Sequence, residues 1–145
     1  MKENNELLEH MYQDSEMATY TIETLLNELK GKDNKILKDL EDILKEYEEF
    51  YKSFKKQLKK EKVSLKKTSM MAKVSSTLGI KKDVLLDNSD SSIADMLIKG
   101  FTIGTLDMEK KISKYNDETD KKIIKQANDF LKFQQQAIEK MKKYL

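Results

Sequence analysis

Cysteine, proline, arginine and tryptophan are all missing from the 145 residues, and glycine occurs only four times. The lack of cysteine excludes disulfides, thiolate metal sites and cysteine nucleophiles. With no proline and so little glycine, the turn chemistry of an all-β chain is absent and long helices are favoured. Because all 28 basic residues are lysine, the planar fork that reads phosphates and base edges is lost. Sequence-specific nucleic-acid binding is disfavoured on that ground. Long hydrophobic runs are missing too. The most apolar stretch, 93–108, is interrupted by Asp95, Lys99 and Asp107, too short and too polar to span a bilayer. The polar start, Met1-Lys2-Glu3-Asn4-Asn5-Glu6, carries no apolar leader of the secretory kind. A cytoplasmic protein without a transmembrane segment is the resulting expectation.

What is present is regular spacing. Leu8, Met11, Ser15, Ala18, Ile22, Leu25 and Leu29 advance by threes and fours, which predicts a helix over 5–30 ended by Gly31. A second stripe, Ile36, Leu40, Ile43, Tyr47, Phe50 and Phe54, predicts a helix over 34–62. The short turn between them makes an antiparallel hairpin. The pattern breaks over 63–91. A short helix is expected there at 69–79, with Ser69 as N-cap and Gly79 as its end, followed by loop residues from Leu86 to Ser92. A third long helix is expected over 92–115, opened by Ser91 or Ser92, and a fourth over 119–145. Gly100 and Gly104 lie on one face of the third; in a helical bundle that spacing admits a neighbouring helix or a bulky side chain.

Two hairpins joined by one long crossover give an all-α, four-helix-bundle, single-domain expectation for residues 1–145. Leu7-Leu8-Glu9-His10-Met11-Tyr12, Lys38-Asp39-Leu40-Glu41, Ile93-Ala94-Asp95-Met96-Leu97-Ile98-Lys99-Gly100 and Gly104-Thr105-Leu106-Asp107 make nearly the whole chain resemble the ferritin-like superfamily. The resemblance is nearest to a group of bacterial four-helix proteins that lack the di-iron motifs. It implies a ferritin-like bundle with a crossover containing a short extra helix. Di-iron relatives need a Glu on each of two helices and Glu-x-x-His on each of the others. Here His10 is the one histidine, and the matching inward pairs are Tyr47 with Phe50 and Leu131 with Gln134. No metal centre, cofactor or catalytic residue is expected.

Ser15, Glu16, Tyr47, Asp107 and Gln134 make a candidate polar core cluster, with Asp107 expected at its rim or paired with a lysine or tyrosine, since a dry unpaired carboxylate is costly. Ordinary core polarity, each group bonded to a neighbour or a water, is the first account of them. A residual pocket for a cation or small polar ligand is the alternative. Charge supplies a further candidate. Residues 1–49 hold 6 lysines and 14 acids, whereas residues 52–82 hold 11 lysines and one acid. Lys52, Lys55, Lys56, Lys59, Lys60 and Lys62 could meet an anion, either nucleic acid without sequence preference or a membrane surface. They also suit the negative end of a helix and the acidic helix beside it. The functional expectation is a non-enzymatic structural or interaction protein, with a protein partner or a second copy as its target. Small-ligand binding and anion binding stand as alternatives.

Overall fold

The computed structural model describes residues 2–65 and 70–145. Five α-helices account for most of them: α1 (Lys2–Glu28), α2 (Leu37–Lys60), α3 (Met70–Leu86), α4 (Asp90–Tyr115) and α5 (Lys121–Lys142). No described residue forms a strand, and no described helix is long and apolar enough to cross a membrane.

The stripes become the core. Leu7, Leu8, Met11, Tyr12, Ile22 and Leu25 of α1, and Leu29 just beyond it, are buried in one core with Leu40, Ile43, Tyr47, Phe54 and Leu58 of α2. Gly31, at φ +80°, takes the left-handed conformation that a glycine adopts without steric cost and ends α1. The stop of α2 is less orthodox. Lys62 sits at φ 57°, while the Val63 N–H reaches back to the Leu58 carbonyl at 3.0 Å. That six-to-one bond is the Schellman closure, made here without glycine.

The short helix expected at 69–79 is longer and ends later. Gly79 does not stop α3, which continues to Leu86. The cause is tertiary: Ile80 and Val84, beyond the glycine, are buried, and their burial outweighs a helix-propensity cost of about 1 kcal/mol. The proposed cap Ser69 lies outside the described residues. The loop shrinks to 87–89, and Ser89 caps α4, its Oγ accepting from the Ser92 N–H at 3.2 Å. Neither Ser91 nor Ser92 is the cap.

Side-chain ties fix the ends. In the α1–α2 turn Asn34 Nδ2 donates to Asp90 Oδ1 at 2.9 Å, holding the start of α4 there. At the opposite end Asn4 Nδ2 donates to Asp120 Oδ2, and the Asp120 N–H donates to Asn4 Oδ1, both at 2.9 Å. This joins the start of α1 to the start of α5. Tyr144, just past α5, donates to Asp39 at 2.6 Å and returns the chain end to the start of α2. Between these ends α3 packs on α1, and α4 on α5.

A cavity with a polar end

The middle of the core is aromatic. The Tyr47 ring lies 4.7 Å from that of Phe133, Phe50 lies 5.2 Å from Phe130, and Phe54 lies 5.4 Å from Phe130, all edge to face. These rings fill the space between α2 and α5 with aromatic surface. A di-iron centre needs carboxylates and imidazoles, and these side chains supply neither. Among the described residues no three histidine, aspartate or glutamate side chains stand close enough to hold a metal ion.

Beside this aromatic layer the core is not filled. A cavity of about 210 Å³ lies between α1, α3, α4 and α5. Ile22, Leu25, Ile80, Met96, Leu97 and Phe101 give it apolar walls, and Asp14, Tyr47 and Gln134 give it a polar end. Gly100 lines it as well, and a Cβ there would meet nothing within 4 Å. Gly104 differs, because its missing side chain makes room for the Gln134 amide.

The polar end is built from α1, α2 and α5. Gln134 is buried, and its Nε2 donates to Asp14 Oδ2 at 2.9 Å. Its Oε1 is buried with no hydrogen-bond partner. Such an unmet acceptor costs about 1–3 kcal/mol. Burial pushes the Asp14 carboxyl up to about 6, against the lowering effect of the Gln134 bond, and the negative charge of Asp107 adds to the rise. The Tyr47 phenol is pushed upward by burial and by Asp14, with Gln134 opposing.

Of the five residues proposed from the sequence, this arrangement brings together Tyr47 and Gln134. Ser15 is buried elsewhere, its hydroxyl donating to the Tyr12 carbonyl at 2.9 Å. Glu16 meets Lys73 of α3 in a 3.1 Å ion pair. Asp107 is exposed, and the carboxylate that lines the cavity is Asp14. A signal for Asp14 was present. Leu7, Met11, Asp14, Ala18, Thr21 and Leu25 also step by fours and threes, a second file beside the one that runs through Ser15. His10 is half-buried, its pKa lowered by burial and by Lys111, with Asp107 acting the other way.

Lys52, Lys56, Lys59, Lys60 and Lys62 are exposed, and Lys55 lies over the Tyr51 ring at 5.8 Å. Comparison with protein-family models, with curated proteins and with solved structures finds no match.

Proposed function

We propose that the chain binds a small primary amine with an apolar body in the cavity between α1, α3, α4 and α5, without a catalytic step. The observation that carries this is the buried, partnerless Oε1 of Gln134 beside Asp14. Asp14, Gln134 and Tyr47 present oxygens to one end of an otherwise apolar space. An ammonium group has three N–H donors and no acceptor. It would satisfy Gln134 and offset the charge of Asp14, which desolvation disfavours. The volume suits the rest of the ligand, since an apolar cavity of about 150 Å³ takes up benzene. Binding rather than catalysis is favoured because Asp14, Gln134 and Tyr47 supply acceptors and a weak acid, with no activated nucleophile among them.

The same reading includes the architecture. The ties from Asn34 to Asp90 and from Asn4 to Asp120 put the starts of α2 and α4 at one end, and those of α1 and α5 at the other. This supports a ferritin-like bundle of two hairpins, with α3 inside the crossover.

The test is calorimetric titration with 2-phenylethylamine and with its neutral isostere 2-phenylethanol. The amine binds the native chain at least about tenfold tighter than the alcohol, and Asp14→Asn removes the preference. As pH falls through about 6, Asp14 takes up a proton and the amine's advantage disappears. Equal binding of amine and alcohol, or no binding of either, removes the proposal.

A further inference from the structure

The shape of the cavity follows from what α4 lacks. Helices α1 and α4 run antiparallel: Asn34, past the end of α1, holds Asp90 at the start of α4, and Tyr115 at the end of α4 donates to Glu6 near the start of α1. At the polar end Gly104 stands by Asp14, whose Oδ2 would lie 3.8 Å from a Cβ on that glycine. One turn further along each helix come Ala18 on α1 and Gly100 on α4, and beyond them Leu25 with Met96 and Leu97. Helix α3 lies along α1, with Lys73 paired to Glu16 at 3.1 Å, Thr77 bonded to Tyr20 and Lys81 reaching Glu28 at 3.9 Å. This puts Ile80 at the Leu25 end. Every turn of α1 from Asp14 to Leu25, and every turn of α4 from Gly104 to Met96, contributes to the lining. The void is therefore a slot along the helices, about 12 Å long by the rise of α4. Beyond its polar end, Thr21 apart, the walls are apolar. Gly100 is exposed and a Cβ on it would meet no atom within 4 Å, so water reaches the slot at that turn.

We propose that the amine's apolar body is an extended alkyl chain, laid between α1 and α4 from the polar end past Ala18 and Gly100 toward Ile80. The inference rests on the amine reading for its headgroup, while its own ground is the length and lining of the slot. About 12 Å is close to the length of an extended octyl chain. A compact ring would fill one end and leave the other wet, whereas a chain covers apolar wall along the whole slot and gains with every methylene buried. The small residues Ala18 and Gly100 leave the passage that such a chain needs in the middle.

Calorimetric titration of the full chain, with Asp14 ionised, tests this with butylamine, hexylamine and octylamine, and with 1-butanol and 1-octanol as neutral counterparts. Affinity rises about fourfold for each added methylene, so octylamine binds on the order of a hundredfold tighter than butylamine. Gly100→Leu, and separately Ala18→Leu, obstruct the slot one turn from the polar end and cut the octyl-to-butyl ratio at least about tenfold. Circular dichroism checks that the variants fold; Gly100 is exposed, so its variant keeps the test decisive even if leucine at the half-buried Ala18 disrupts the core. Equal affinity for butylamine and octylamine overturns the inference, and leaves the amine reading standing if butylamine still outbinds 1-butanol. A chain-length ratio that the folded leucine variants leave intact overturns it as well. The same ratio for the alcohols, lost in the same variants and with no advantage to the amines, upholds the alkyl slot and removes the ammonium headgroup instead. No binding of any of these compounds removes both.

Discussion

Gly104 and Gln134 are matched across the α4–α5 contact. A methyl group on Gly104 would stand 3.0 Å from Gln134 Nε2 and 3.8 Å from Asp14 Oδ2, so the amide occupies the room that the glycine leaves. One turn earlier, the same methyl on Gly100 would meet nothing within 4 Å. The two glycines therefore respond oppositely to alanine. Gly100→Ala stabilises by roughly 0.5–1 kcal/mol, the ordinary gain of replacing a helical glycine. Gly104→Ala displaces the amide, and the loss of its bond to Asp14 leaves a net destabilisation of about 1 kcal/mol. Chemical denaturation of the two variants checks the contrast in sign.

Asp14 makes a pH-dependent contribution. Its pKa rises from 3.8 in the open chain to about 6 in the fold. Between those values the native state binds more protons than the unfolded one, so this group's contribution falls as pH rises through that window. Asp14→Asn removes the slope. Above pH 6 the variant is more stable than the native chain, by up to about 3 kcal/mol if the whole shift is realised. Urea melts at several pH values read this directly.

Lys62 is a non-glycine residue in left-handed backbone at the stop of α2. Lys62→Gly keeps the Schellman bond from Val63 to Leu58 and relieves a backbone cost of roughly 1 kcal/mol. A rise in melting temperature of a few degrees is the expected reading.

Asp39 has its pKa lowered, first by the hydrogen bond from Tyr144 and then by that from Lys143. The stabilisation is complete at neutral pH and disappears as pH falls below about 4. Tyr144→Phe costs about 1 kcal/mol at pH 7 and less at a second, acid pH low enough to protonate Asp39. Paired melts at the two pH values check it.

Much of the fold was legible in the spacing. The stripes of α1, α2, α4 and α5 were visible because each buries one face, and Gly31 marked its turn because a glycine does there what glycine does best. The stop of α2 was hidden, since a lysine performs it. Gly79 misled in the other direction. Burial of Ile80 and Val84 is a long-range effect that no local rule carries. At the site, Tyr47 and Gln134 were found because both fall on stripes. Asp14 was missed because α1 buries two adjacent files, and the one through Ser15 looked sufficient. Asp107, on the gapped face of its helix, was expected at the rim or paired, and it is exposed, close enough for its charge to act on Asp14.

The attachment of α3 sets how the interior is reached. It is fastened to α1 by two ion pairs, Lys73 with Glu16 and Lys81 with Glu28, by one hydroxyl contact and by two buried aliphatic side chains, while Ile80 on its inner side also forms part of the cavity wall. A segment held so lightly detaches before the rest of the molecule unfolds. Its amide hydrogens are therefore expected to exchange with deuterium ahead of those in α2 and α5, and each such excursion withdraws Ile80 from the cavity wall.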